Sequence, residues 1–157
     1  AISPDYTPTM NDAFILIERG DVGSVEIAAA LEAAANEILA KTPSISEEKA
    51  MQQAESDLRS KVTNRYKDDY INAFEKGYTQ KAKQIAEWMY ATGLYEDRGA
   101  VDDVVRGWLV DYYKEAYLAA KTDAERSNIF EKLYATKKWR NRAELKKAIR
   151  GWTEAKD

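Results

Sequence analysis

The chain has 157 residues, of which 45% are hydrophobic and 32% charged, with a formal net charge of −3. This composition is typical of a globular protein and excludes a disordered chain. Cysteine and histidine are both absent, which excludes disulfides, thiol catalysis, thiolate zinc sites and histidine-based acid–base chemistry.

Helix-breaking residues are scarce, with only 7 Gly and 3 Pro in the whole chain. Their scarcity predicts an all-α fold of about seven helices. Residues 1–9 are rich in Pro and Thr and are expected to form an irregular arm. The predicted helices span about residues 10–19, 24–40, 44–76, 79–92, 97–121, 122–136 and 141–152.

Helix starts are assigned to side chains that can accept a hydrogen bond from the backbone of the first turn. These predicted caps are Thr9, Ser24, Ser44, Thr79, Asp97, Thr122 and Asn141. Predicted helix stops are Gly20, Gly77 and Gly93, because glycine tolerates the left-handed conformation at a helix end. The run from Phe14 to Ile17 could instead be a buried strand, but no partner strand is evident, so a helix is preferred.

Apolar residues at helical spacing predict the buried side of each helix. In the first half these are Ile27, Leu31, Ala34, Ile38, Leu58, Val62, Tyr66 and Tyr70. In the second half they are Ile85, Trp88, Met89, Val101, Val104, Val105, Trp108, Ile129, Phe130, Leu133, Leu145, Ala148, Ile149 and Trp152.

A self-similarity at an offset of 44 residues runs through the second half of the chain. Tyr90-Ala91-Thr92 recurs as Tyr134-Ala135-Thr136, and Arg106-Gly107-Trp108 recurs as Arg150-Gly151-Trp152. The predicted caps and core positions keep the same spacing in both copies, which makes coincidence a poor explanation. The pattern predicts a duplicated helix–turn–helix unit, stacked as a short array or an irregular bundle.

This organisation predicts one helical domain over residues 1–157. Its acidic N-terminal helices occupy residues 10–76, the first repeat unit residues 77–112 and the second residues 113–157. Two copies are fewer than such arrays normally need for independent stability, so we expect a partner to cover an exposed end.

Charge is distributed unevenly along the chain. Residues 1–60 carry 11 acidic and 4 basic side chains, a net charge of −7. Residues 121–157 carry 6 acidic and 11 basic side chains, a net charge of +5. The N-terminal part is therefore acidic and the C-terminal part mildly basic.

Part of this basic charge surrounds an indole, Trp139, and continues onto the last predicted helix. Cations can bind phosphates while an aromatic ring offers a stacking surface, which predicts nucleic acid as a possible partner. The candidate nucleic-acid-binding residues are Lys137, Lys138, Arg140, Arg142, Lys146, Lys147 and Arg150. Trp139 aligns with Tyr95 of an acidic loop, however, which favours a packing role for the ring.

The chain contains 10 tyrosines, more than a small core readily buries. Tyr and Trp are enriched at protein interfaces, so the surplus predicts a protein partner or self-association. The candidate interaction residues are Tyr112, Tyr113, Tyr117, Tyr95 and Trp139.

No pattern in the sequence predicts catalysis. Adjacent carboxylates, such as those at Asp102 and Asp103, point about 100° apart on a helix and cannot converge on one substrate or metal ion. We therefore expect no enzyme activity, no metal, no cofactor and no small-molecule substrate. The uncharged apolar run Phe14–Ile17 is far too short for a membrane span. The opening residues lack a secretory-signal pattern, so we expect an intracellular location.

A short motif pairs an aromatic turn with a helix that ends near a tryptophan. It is Met89-Tyr90-Ala91-Thr92-Gly93-Leu94-Tyr95 with Trp108, and Leu133-Tyr134-Ala135-Thr136-Lys137-Lys138-Trp139 with Trp152. Over about half the chain, this pattern resembles helical repeat domains of large tailed-phage and mobile-element polyvalent and virion proteins. The resemblance implies a non-catalytic helical module of a phage-type particle or a delivered protein, and with it a location in a virion or the host cytoplasm. The second copy departs by placing Lys137 where the first has Gly93, which leaves its helix end open to question.

Overall fold

The computed structural model describes residues 10–19 and 23–156, and these form seven α-helices without a strand. The helices are α1 (Met10–Arg19), α2 (Ser24–Lys41), α3 (Glu47–Glu75), α4 (Thr79–Ala91), α5 (Arg98–Ala119), α6 (Asp123–Ala135) and α7 (Arg142–Lys156). The predicted all-α fold is confirmed, and Phe14–Ile17 is helical rather than extended. The expected arm over residues 1–9, the cap at Thr9 and the stop at Gly20 lie outside the described residues.

The chain forms two compact units, unit 1 over residues 1–101 and unit 2 over residues 102–157. The single domain over residues 1–157, with repeat copies that begin at residues 77 and 113, stays a prediction. The division between the two units falls inside α5, whose first turn is bonded to α4 through the two hydrogen bonds that the Arg98 guanidinium donates to Glu87.

Unit 1 is organised around α3, which packs against α1, α2 and α4. Helix α2 approaches it closely because α2 buries alanines at positions 30, 34 and 35, and α3 buries Ala50 and Ala54. The larger buried side chains of unit 1 are Ile17, Ile27, Leu58, Val62, Tyr66, Ile85 and Met89. Trp88 was expected among them but is 38% exposed, with its ring centroid 6.1 Å from that of Tyr66.

In unit 2, α6 packs against α7. Its buried apolar side chains are Val105, Trp108, Leu109, Val110, Tyr113, Leu133, Leu145 and Ile149. The other predicted core residues of α6 and α7, namely Ile129, Phe130, Ala148 and Trp152, are half-buried. The incomplete burial leaves part of the apolar surface of unit 2 open to solvent.

Three predicted helix starts are confirmed by their hydrogen bonds. The side-chain oxygens of Asp97, Thr122 and Asn141 each accept a hydrogen bond from the backbone N–H three residues later, at 2.8, 3.1 and 2.9 Å. The remaining three predicted caps in the described chain are wrong by one or two residues.

The displaced caps have local causes. Helix α3 is capped by Ser46, which accepts from the N–H of Lys49, because the chain is still turning before it, with the N–H of Ile45 bonded to Thr42. The cap positions before α2 and α4 are Gly23 and Tyr78, neither of which makes a side-chain capping bond.

None of the described helices is long and apolar enough to cross a membrane.

Candidate interaction site

The turns that follow α4 and α6 carry the same pair of hydrogen bonds. The hydroxyl of Thr92 donates to the carbonyl three residues earlier at 2.6 Å and accepts from the N–H two residues later at 3.2 Å. The hydroxyl of Thr136 makes the equivalent bonds at 2.6 and 3.5 Å. Both threonines are buried, at 1% and 6% exposure. Each hydroxyl therefore forms hydrogen bonds with one backbone carbonyl and one backbone N–H at the end of its helix.

Both helix ends also place the next residue in the left-handed region. Gly93 has a φ of 76° and Lys137 a φ of 66°. Helix α6 thus ends as α4 does, although Lys137 bears a side chain that disfavours this conformation. The matching turns support the predicted duplication, while the equivalence of the two copies as whole units stays a prediction.

Exchanging these two residues is expected to have opposite effects on stability. Lys137→Gly should stabilise the chain and Gly93→Lys should destabilise it, each by about 1–2 kcal/mol, because a side chain is unfavourable at positive φ. A Cβ at position 93 would also approach the Cβ of Ser24 to 3.3 Å. Urea unfolding of each variant measures the change. A Lys137→Gly variant less stable than the native chain would contradict this expectation.

In unit 1, an arginine at the start of α5 contacts a glutamate and a tyrosine of α4, and we call this contact an arginine clasp. Arg98 donates to the two carboxylate oxygens of Glu87 at 2.9 and 3.1 Å, and its guanidinium carbon lies 4.3 Å from the ring centroid of Tyr90. The hydrogen bonds from Arg98, together with its charge, lower the pKa of the Glu87 carboxyl group.

Unit 2 contains the same clasp after α6. Arg142 donates to both carboxylate oxygens of Glu131 at 3.4 and 3.0 Å and lies 4.3 Å from the Tyr134 ring centroid. Its hydrogen bonds and charge lower the pKa of Glu131. Arg98 and Arg142 are 44 residues apart, as are Glu87 and Glu131, so both partners of the clasp follow the repeat. Neither glutamate is among the site residues predicted from the sequence.

The candidate nucleic-acid-binding residues are all exposed, but they do not form one uniform cationic surface. Arg142 is held by Glu131, and Arg140 lies 3.9 Å from Glu144 in an ion pair. Lys137 and Lys138 lie in the turn after α6, whereas Lys146, Lys147 and Arg150 lie on α7. These last three cations form no ion pair with any other residue in the described part of the chain.

The candidate aromatic residues separate into buried and accessible ones. Tyr95 is 9% exposed and Tyr113 is 2% exposed, so neither offers its ring to a partner in the folded chain. Trp139 is half-buried and packs edge-on against Trp152, with centroids 5.9 Å apart. This contact agrees with a packing role for Trp139.

Two tyrosines of α5 remain accessible. Tyr112 is 42% exposed and its ring meets that of Tyr113 edge-on at 5.1 Å. Tyr117 is half-buried, one turn further along the helix, where it lines a groove of unit 2.

That groove, with a volume of about 470 Å³, has walls from three helices of unit 2. Helix α5 contributes Tyr117, α6 contributes Phe130, and α7 contributes Ala143, Lys146, Ile149 and Arg150. Ala143, Lys146 and Arg150 share a face of α7 because they are spaced three and four residues apart, and Ile149 lies at the side of this face. The groove therefore combines an apolar lining with two exposed cations. We call it the α7 groove.

A second cavity, of about 450 Å³, lies in unit 1 beside the turn after α4. The cation among its lining residues, Arg59, already has partners: it donates to the carbonyl of Leu94 at 3.3 Å and lies 3.6 Å from Glu55. The α7 groove, whose cations lack such partners among the described residues, is the better candidate for binding.

Among the described residues, no group of three or more acidic side chains is placed to hold a metal ion. Comparison with known proteins gives no match, either to a family model, to a curated protein or to a solved structure. The function is therefore inferred from the geometry of the chain itself.

Proposed function

We propose that the chain is a non-enzymatic helical module that binds protein through the α7 groove. The observation that carries the proposal is the apolar lining of this groove, with Phe130 and Tyr117 half-buried and Lys146 and Arg150 exposed at its edge. Apolar and aromatic groups surrounded by charge are typical of protein-binding surfaces. The turn after α6 and the contact between Arg142 and Glu131 join α6 to α7, two of the helices that form the groove.

Protein is favoured over nucleic acid as the partner for two reasons. The clasp to Glu131 and the ion pair to Glu144 neutralise Arg142 and Arg140, which removes charge from the predicted basic patch. Trp139 packs against Trp152 rather than presenting a free stacking surface. Binding to nucleic acid depends on unpaired cations and available ring faces, and both are reduced here.

The setting we propose is a phage-type virion or a virion-delivered protein. It rests on the resemblance of the two aromatic turn motifs to helical domains of large tailed-phage and mobile-element proteins. In such a particle the module assembles with itself or with a neighbouring protein.

Site-specific photo-crosslinking in the native host tests this proposal. A benzophenone side chain introduced at Phe130 or Tyr117 is expected to form a covalent adduct with protein, because both positions line the groove. The matched control places the same group at Tyr78, an aromatic residue of unit 1 that is 54% exposed.

Adducts with protein at the groove positions, and none at Tyr78, would support the proposal. Adducts only with nucleic acid would favour the alternative, a nucleic-acid-binding module that uses Lys146, Lys147 and Arg150. An absence of adducts at both groove positions would contradict protein binding by this surface.

A further inference from the structure

We propose that the α7 groove binds the exposed acidic face of α2 from a second copy of the chain. This inference rests on the proposed function and names the partner of the same groove. The two surfaces belong to different units, so the contact joins copies head to tail.

The groove side of the contact is cationic. Lys146 and Arg150 are one helical turn apart on α7, exposed, and without an ion-pair partner among the described residues. Helix α7 as a whole contains five basic and two acidic residues. Phe130 also lines the groove and is half-buried, so part of its apolar surface is in contact with water in the isolated chain, whereas Ile149 lines the groove but is buried.

The α2 side is complementary in charge and shape. Val25 is 77% exposed, the most exposed large apolar side chain in the described chain. Ala29 and Glu32, four and seven residues later, are exposed on the same helix face. Because Ala29 is small and lies between Val25 and Glu32, this face of α2 can approach a groove closely.

The charge on this face is available for a partner. Glu32 and Glu26 are exposed and form no ion pair with another described residue. The third glutamate of α2, Glu37, is bonded instead to Lys41 at 3.0 Å. The carboxylate of Glu32 therefore remains unpaired on the same face as Val25 and Ala29, whereas the carboxylate of Glu26 lies over the backbone of Gly23 at the start of the helix.

The contact is heterologous, because the groove of one copy meets a different surface of the next. A dimer formed in this way keeps one free groove at one end and one free α2 face at the other. Association therefore continues beyond a dimer unless a ring closes. The contrast between a net charge of −7 over residues 1–60 and +5 over residues 121–157 favours this polarity over contact between like surfaces.

Sedimentation velocity of the purified full chain, over concentrations up to about 1 mM, tests the inference. The native chain is expected to associate, and to do so less as the salt concentration rises from about 0.05 M to about 0.5 M. Lys146→Glu/Arg150→Glu should weaken association at least about 30-fold, because it turns attraction into repulsion at the groove. Glu26→Lys/Glu32→Lys should weaken it similarly, and the milder Glu26→Gln/Glu32→Gln variant serves if the reversal disturbs α2.

Two combinations make the test specific. An equimolar mixture of the groove variant and the α2 variant should associate although neither does so alone, since each still offers one native surface. The chain that carries all four reversals should regain association. The matched control, Lys137→Glu/Lys138→Glu, makes the same change of net charge outside the groove and should associate like the native chain.

The result that overturns the inference is a native chain that stays monomeric, or a control variant that is impaired as much as the groove variant. A native chain that binds duplex DNA through Lys146 and Arg150 but not its own copies would also overturn it. A monomeric chain whose groove still crosslinks to another protein would leave the proposed function standing.

Discussion

Replacing Leu133 with alanine is expected to destabilise the chain by about 2–5 kcal/mol, since the side chain is fully buried and its loss leaves a cavity. Met89, which occupies the aligned position in the other repeat, is also fully buried. The Met89→Ala substitution should therefore have an effect of the same order. The free energy of unfolding in urea, measured for each variant at a concentration where the chain is monomeric, gives both values.

The control for this pair is Val25→Ala, which shortens a side chain that is 77% exposed. It should change the free energy of unfolding by less than about 0.5 kcal/mol. If Leu133→Ala were as mild as this control, the core assigned to unit 2 would be incorrect. If only one of the two buried substitutions were severe, the two copies would not contribute equally to stability.

Raising the pH above about 10 is expected to destabilise the native chain more than a Tyr95→Phe variant. Burial raises the pKa of the Tyr95 phenol to about 12, against a partial lowering by the charge of Arg59. Between about pH 10 and pH 12 the unfolded chain releases this proton while the folded chain retains it. Stability is therefore lost as the pH rises, with a contribution from Tyr95 of about 1.4 kcal/mol per pH unit that the variant lacks.

At neutral pH the Tyr95→Phe substitution should change the free energy of unfolding only slightly. The Tyr95 hydroxyl has no hydrogen-bond partner among the described residues, so its removal leaves no polar group unsatisfied. Urea unfolding at several pH values, with Tyr78→Phe as a matched loss of an exposed phenol, separates the two effects. Identical pH profiles for the two variants would show that Tyr95 is not buried as described.

The α7 groove is lined by residues for which the sequence predicts separate roles. Tyr117 was predicted as an interaction residue, Lys146 and Arg150 as nucleic-acid contacts, and Phe130 and Ile149 as core. The structure brings all five together. Residue type and helical spacing predict which face of one helix is apolar, but they do not show which faces of three helices meet.

The arginine clasps illustrate the same limit at shorter range. Arg142 is 11 residues from Glu131, and the two meet only because the turn after α6 reverses the chain. That reversal depends on the left-handed conformation of Lys137, which no propensity for lysine predicts. Arg142, a predicted residue of the basic patch, is therefore paired with Glu131, and spacing along one helix would not identify this partner.

The sequence by itself determined the helical elements of this protein. Capping by Asp97, Thr122 and Asn141 and the left-handed stops at Gly77 and Gly93 involve groups within a few residues of each other, so local chemistry was sufficient. The tertiary structure alone decided which aromatic and charged groups remain available to a partner. Tyr95 and Tyr113 are buried whereas Trp88 is exposed. The burial of a side chain depends on the helices packed against it, and neither the residue type nor its position along its own helix shows which helices these are.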